Sequence, residues 1–589
     1  MAIQSNFPNI NPSLLLDFAN VKQLDPRITF TRASTATYYD GVTTAKAEQN
    51  LLIQSQDISS SFWLAVGQGV ASAPTKTNNY STAPDGTSTA GRVQFALNGG
   101  TTTGDISQLY QSFTTVSALP YTFSVYVKST DGVSTYDMQL AGASASVNIT
   151  VTGTWTRVTA TSNGGGASTQ FQLRIRGGQT PTNNDTADVL VWGFQLEQRS
   201  AVSSYTATTT QAITNYIPQL LTAASGISRF THNPTTDESL GLLIEEARVN
   251  LFLRSEEFDN ANWTKAGSSV TPNTVISPDG TLDADKLIES TAASQHQVVQ
   301  NMTATVGVTY ATSIYAKKAE IDVITLDFTG ALLGTYNLST GVATLGAGSV
   351  NNTVVSASMT SVGNGWYRLV AIWTRVGTTL SSDFRFSLRQ NASYTGDGYS
   401  GLYIWGAQLE AGAFPTSYIA TVASQVARSP DVATMTGTNF SSWFNQGEGS
   451  IYADASTYMP ISNNANRNDT VSFSDGTANN AIYMGVNSVG AVSSISLYAV
   501  TSGTAQVNVT RTLSSSAYRT SYGYKVNDVA LIVDAGTVVT DTSVTLPNLD
   551  RLSIGSRSGG GTNFQNGTIK KIAYYPLRVT NTNLQALTS

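Results

Sequence analysis

Apolar side chains recur at every second position over short stretches. Thr122-Phe123-Ser124-Val125-Tyr126-Val127-Lys128 and Phe171-Gln172-Leu173-Arg174-Ile175-Arg176 are two of them, and a period of two marks a strand with one buried face. Residues 240–244, 449–454, 529–533, 551–555 and 567–575 read as further strands, and residues 27–32 supply one within the first fifty. Asp-Gly pairs beginning at Asp40, Asp85, Asp131, Asp279, Asp397 and Asp475 punctuate the pattern, and that dipeptide favours tight turns. Helical periods are few. Many short strands divided by Gly-rich turns predict an all-β chain of β-sandwiches or jelly rolls.

The strand pattern repeats at domain scale. Asn50-Leu51 through Ser55 to Trp63 matches Asn250-Leu251 through Ser255 to Trp263. Pro84-Asp85-Gly86 then matches Pro278-Asp279-Gly280, and the stretch from Tyr121 to Tyr126 matches that from Tyr310 to Tyr315. Further on, Trp155 and Arg157 match Trp366 and Arg368, and Trp192-Gly-Phe-Gln195-Leu196-Glu197 matches Trp405-Gly-Ala-Gln408-Leu409-Glu410. Both copies close on Ser-Tyr, at Ser204-Tyr205 and Ser417-Tyr418. Solenoid repeats run at about 20 to 50 residues, so a repeat on the order of 200 is a duplicated domain. The paired blocks predict two like jelly rolls, at 50–208 and 250–421.

Length and composition then limit the rest. A chain of 589 residues exceeds one hydrophobic core, which stops growing at roughly 250 to 300. Three domains are expected. Only 12% of residues are charged, and Thr, Ser, Asn and Gly fill the polar positions, a sheet-and-turn composition. The net charge is −6 and no Lys/Arg block could neutralise a run of phosphates, so nucleic acid is not an expected partner. Cysteine is absent, which excludes disulfides and thiolate metal sites. No apolar run reaches the ~18 residues of a membrane span, so membrane insertion is not expected. Residues 1–13 carry no secretory pattern, and release by cell lysis is the expected way out.

Two segments carry a family likeness. Residues 14–41, Leu14-Leu-Leu-Asp-Phe-Ala-Asn20 through Leu24-Asp-Pro-Arg-Ile-Thr-Phe-Thr-Arg32-Ala-Ser-Thr-Ala-Thr-Tyr-Tyr-Asp-Gly41, resemble the opening of many phage tail-fibre and head-spike proteins. Leu240-Gly-Leu-Leu-Ile-Glu245-Glu246-Ala-Arg248-Val-Asn250-Leu251 is similar to the junction those proteins place before a carbohydrate-binding-module-like jelly roll. In simpler members the two motifs lie close together; here the first jelly roll separates them. The stretch from Phe564 through Gly567 and Pro576 to Leu587 resembles the final strand and short helix of concanavalin- or laminin-G-like sandwiches. The expected organisation is an N-terminal arm at 1–49, a jelly roll at 50–208, a connecting segment at 209–249, a second jelly roll at 250–421 and a concanavalin-like sandwich at 430–589. The arm and the connecting segment are too short for cores of their own and are expected to act in assembly.

The resemblance implies a protein of the phage virion exterior, a tail fibre, spike or decoration subunit. Its expected partners are other virion proteins, copies of itself with a trimer favoured, and host surface polysaccharide met through the C-terminal sandwich. A capsule-degrading spike and a purely structural joint are the alternatives.

Catalytic chemistry finds little support in the residues. A nucleophile-and-base site needs a base such as histidine, and only His232 and His296 exist, neither beside a nucleophile motif. Two histidines without cysteine also fall short of the usual zinc sets. A glycosidase needs paired carboxylates; Glu197 and Glu410 are the acids fixed by the duplication, and recurrence in both copies points to a hydrogen bond at a strand end. The expectation is a non-enzyme with no catalytic residues, metal ligands or cofactor. Trp63, Trp263, Trp155, Trp366, Trp192 and Trp405 recur in pairs, which points to core packing before sugar stacking. The carbohydrate-binding residues are unknown from sequence; Tyr458, Trp443 and Tyr524, in the last domain, are the aromatics to examine.

Overall fold

The structure is a computed structural model, described for residues 11–142, 145–180, 182–389, 392–459, 467–489, 492–557 and 562–589. The chain is an all-β protein of stacked antiparallel sheets. Among the described residues no helix is long and apolar enough to cross a membrane. The six Asp-Gly pairs all form turns, with each Gly at positive φ. Each Asp carboxylate accepts from the backbone N–H two residues on, at 2.7–3.0 Å. That short local bond competes with strand pairing and fixes the turn.

The first jelly roll packs two five-stranded sheets. One runs Ser146–Val151, Tyr136–Ala141, Ser168–Arg176, Ile106–Thr114, Leu64–Gln68; the other Thr156–Asn163, Pro120–Ser129, Thr186–Glu197, Ala90–Ala96, Ser72–Ser81. Alternate residues of both, among them Val93, Phe123, Val125, Phe171, Leu173 and Leu196, fill one core. The second jelly roll has the same plan around Phe252, Trp263, Phe384, Phe386 and Leu409.

An internal hydrogen-bond frame is common to both copies. Asn50 donates to Phe194 O and Thr206 O while its Oδ1 accepts from Leu52 and Leu196 N–H; Asn250 donates to Ala407 O and Ile419 O and accepts from Phe252 and Leu409. Trp63 Nε1 donates to Gln54 O and Trp263 Nε1 to Arg254 O, each at 2.8 Å. The Ser55 and Tyr205 hydroxyls meet at 2.6 Å, those of Ser255 and Tyr418 at 2.7 Å. Arg157 lies over the Tyr126 ring and Arg368 over Tyr315, at 5.4 and 5.7 Å.

The copies differ at one side. Between Val151 and Trp155 the first passes through residues 152–154, whereas between Asn337 and Trp366 the second takes residues 338–365. That addition forms two strands. Val342–Gly348 extends one sheet, which becomes Thr264–Ala266, Gln297–Ala304, Leu380–Leu388, Val323–Phe328, Ala331–Asn337, Val342–Gly348. Asn352–Gly363 extends the other, which becomes Ser268–Ile276, Leu282–Glu289, Gly401–Ala411, Thr309–Lys318, Trp366–Arg375, Asn352–Gly363.

The C-terminal sandwich is completed by strands from far upstream. Leu14–Asp17 and Ser239–Ile244 pair with Gly567–Tyr575, and Thr29–Thr31 pairs with Val432–Thr436. Leu14, Leu16, Phe18, Ile28, Leu242 and Ile244 thereby enter a core shared with Ile451, Phe473, Leu531 and Tyr574. Thr44–Asn50 instead pairs with Ile213–Pro218. By compactness the chain divides into two units, Thr44–Ile217 with Asn273–Ala284, and the remainder.

Within the larger unit five buried charged side chains converge. Asp431 accepts from Arg32 at 3.0 Å, from Arg229 at 2.6 Å and from the Glu245 N–H at 3.0 Å. Glu245 accepts from Arg229 at 2.8 Å, from Ser417 N–H and Oγ at 2.7 Å each, and lies 3.7 Å from Arg428. All five are at most 1% exposed. Three cations face two anions, and carbonyls take several of the surplus donors: Arg32 reaches Ser34 O and Ala224 O, Arg229 reaches Thr37 O, and Arg428 reaches Glu246 O, while the Nε groups of Arg229 and Arg428 are buried without a partner. Burial alone pushes the Glu245 carboxyl up; Arg428 and Arg229 more than reverse this and bring it to about 2. Buried charges survive only when paired and hydrogen-bonded in this way.

Candidate functional site

A cleft of about 410 Å³ opens on the C-terminal sandwich, between a helical turn and the entry to a strand. Gly437, at φ 58°, starts the turn Thr438–Ser441. The turn drives Phe440 inward, where it packs against Trp443 at 5.1 Å and stacks on Phe444 at 4.5 Å. Phe440 is 1% exposed and Phe444 half-buried, so Phe444 brings aromatic surface to the floor.

The opposite wall is Leu549, Asp550 and Arg551. Gln446 ties the walls together: its Oε1 accepts from Leu549 N–H at 3.2 Å and its Nε2 donates to Leu549 O. Arg551 Nε donates to Asp550 Oδ1 at 2.7 Å, which raises the guanidinium pKa. Thr436, Ser441 and Gln446 complete a polar rim. An aromatic floor with a few converging polar groups suits a small polyhydroxylated ligand, whose C–H face packs on a ring while its hydroxyls bond the rim. Asp550 is the one carboxylate among the described residues lining the cleft, and glycoside hydrolysis uses two.

Sequence reasoning approached this place without finding it. Trp443 and Tyr524 are core residues, 5% and 1% exposed. The Trp443 indole N–H donates to Asn439 O at 2.8 Å, and Tyr524 hydrogen-bonds Asn445 O and Tyr574. Both therefore correct the expectation of loop aromatics open to sugar. Tyr458 is 40% exposed but does not line the cleft. The missed signal was the pair Phe440 and Phe444 one helical turn apart, beginning just after Gly437.

The other residues singled out from sequence lie elsewhere. Trp63, Trp263, Trp366 and Trp405 are at most 1% exposed and Trp192 5%, whereas Trp155 is only half-buried. Glu197 accepts from Ser203 N–H at 2.9 Å and from its hydroxyl, and Glu410 accepts from Thr416 in the same way. Each carboxylate thus closes the loop that follows its strand. Burial raises the Glu410 pKa. His232 is buried beneath Gly41, where an added Cβ would fall 2.4 Å from the ring. The His296 ring is held by main-chain groups: Nε2 lies 3.0 Å from Tyr394 O, and Nδ1 faces Gly267 O and the Ser290 N–H. Among the described residues no group of three or more His, Asp or Glu side chains is placed to hold a metal.

No family model and no curated protein matches the chain. Solved structures match it weakly. A CBM40 module of the Ruminococcus gnavus IT-sialidase, bound to α2,3-sialyllactose, aligns at TM-score 0.20 and 12% identity over 25% of this chain and 84% of its own. The tandem CBM22 domains of Paenibacillus barcinonensis Xyn10C align at 0.19 and 14%, over 64% of this chain and all of theirs. A Trypanosoma rangeli sialidase aligns at 0.20 and 9%, over 92% and 98%. Scores of this size transfer no site residue to the chain.

Proposed function

We propose that the chain is a structural protein of the phage virion exterior, a tail fibre, spike or decoration subunit, whose C-terminal sandwich contacts a surface polysaccharide through the Phe444 and Arg551 cleft. What supports the virion part is the resemblance of residues 14–41 and 240–251 to phage fibre and spike proteins, two segments that meet in the buried ionic hub. The two segments that resemble phage fibre and spike proteins supply Arg32 and Glu245, and these meet Asp431 at the start of the last sandwich. On this reading the shared segments serve as a mount: they add strands to both sheets of the terminal sandwich and tie it to the preceding jelly roll through Ser417. The cleft supports binding over hydrolysis because it offers a ring floor and a hydrogen-bonding rim with a single carboxylate.

The test uses the full chain and purified particles of the phage that encodes it. Mass spectrometry should find the chain in those particles, and a glycan array or titration with host polysaccharide should show binding that Phe444→Ala and Arg551→Ala each weaken at least tenfold. Absence from the particle contradicts the virion assignment. Binding that both variants retain contradicts the cleft, and reducing ends released from the polysaccharide would replace binding with hydrolysis.

A further inference from the structure

We propose that the double edge built by residues 338–365 of the second jelly roll is where a second copy of this chain docks. The first jelly roll lacks both strands, so Val342–Gly348 and Asn352–Gly363 are an addition to a frame that closes without them. Each is the last strand of its sheet, and both lie at the same side of the sandwich, joined through the Ser349 to Asn352 bridge. Asn352–Gly363 pairs only with Trp366–Arg375 among the described residues. Pro218 covers its end at Gly363, and among the described residues no other strand pairs with it before that point.

The composition of this edge sets it apart. From Phe328 to Tyr367 there is no Asp, Glu, Lys, Arg, His or Pro, in a chain where 12% of residues are charged. Open edges are ordinarily guarded by a charge or a proline that blocks further pairing. The other terminal strands of nine or more residues follow that rule: Ser72–Ser81 carries Pro74 and Lys76, Ser268–Ile276 carries Pro272, and Thr504–Thr512 carries Arg511. Asn352–Gly363, at 12 residues, has neither guard. Apolar side chains stand out along the two strands and the turn between them, with Val342 and Leu345 each 54% exposed, Val350 93% and Val355 49%.

Charge selects the occupant. Two copies of a chain with net charge −6 repel wherever their acidic surfaces meet, and an uncharged face is where they can approach. Lys318, which donates to Ser339 at 2.8 Å, borders this face, but the two added strands themselves carry no charge for a charged partner to pair with. A strand that meets its own copy antiparallel is self-complementary, the pattern of a twofold interface. This inference stands apart from the virion and glycan assignments.

The experiment is the solution mass of the full chain by light scattering, combined with hydrogen exchange across a concentration series. Wild type should show a dimer, with amides in 352–363 gaining protection as concentration rises. The pair Leu345→Lys and Val355→Lys should reduce it to monomer with an unchanged circular dichroism spectrum, while Thr510→Lys, on the guarded edge Thr504–Thr512, should leave the oligomer intact. A monomeric wild type, an oligomer that survives both lysines, or protection in 352–363 that is independent of concentration would overturn the proposal. The exchange arm on wild type decides the matter even if the double variant fails to fold.

Discussion

The two jelly rolls share a frame and differ in what is attached to it. Buried Asn50 and Asn250 hold the same carbonyls and N–H groups, and Tyr205 and Tyr418 close on the same serine hydroxyls. The second copy alone carries two extra strands, and its closing Ser417 is drawn into the hub by Glu245 and Arg229. Even a paired tryptophan responds: Trp366 is fully buried, and its counterpart Trp155 only partly. Positions fixed by both copies maintain the sandwich, while the two added strands and the Ser417 tie to the hub belong to the second copy.

The sharpest way to break this division is at the hub. Asp431→Ala leaves Arg32, Arg229 and Arg428 facing Glu245 alone, and removing one partner from a buried ion cluster costs about 3–5 kcal/mol. Calorimetry should show the transition of the larger unit falling while that of residues 44–217 stays put. Equal movement of both transitions would mean that the hub does not belong to one copy.

A matched pair of substitutions sharpens the other half of the comparison. Asn50→Ala and Asn250→Ala each strand two carbonyls and two N–H groups, at a cost of roughly 2–3 kcal/mol. Denaturant melts should return the same loss for both within experimental error. A cost found in one copy only would show that the shared hydrogen bonds do unequal work.

A third expected effect is a pH slope confined to the second copy's attachment. Glu245 sits at about 2 in the folded protein against an ordinary 4.5. The unfolded chain therefore binds the proton first as pH falls, so the stabilisation is complete above about 4.5 and is lost progressively down to about 2. Melting temperature measured from pH 6 to 2 should show this slope, and Glu245→Gln should flatten it. A slope unchanged in the variant would assign acid sensitivity to other carboxylates.

Much of this was legible in the chain. Period-two stretches became strands, with residues 122–128 inside Pro120–Ser129 and residues 567–575 as Gly567–Tyr575, because one buried face imposes alternation. The short terminal helix falls at Asn581–Leu587, after that strand. One strand within residues 1–49, at 27–32, and one within 209–249, at 240–244, were visible; Leu14–Asp17, Thr44–Asn50 and Ile213–Pro218 were not, and no destination was. Leu14–Asp17 reaches Gly567–Tyr575 across nearly the whole sequence, and local pattern carries no record of a distant partner. The hub was hidden for the same reason: Arg32, Arg229 and Asp431 look like ordinary surface charges until folding buries them. The cleft escaped because Trp443, the largest aromatic of its segment, faces inward, and its neighbour Phe444 lines the opening.

The measurement that bears most directly on the central claim is a cryo-electron microscopy map of the intact particle, at a resolution that traces residues 14–589. The account predicts the chain on the outer surface, with residues 14–41 and 240–251 folded into the mount of the last sandwich and the Phe444 and Arg551 cleft facing solvent. A particle without the chain, or one in which that cleft is sealed against another virion protein, would contradict it.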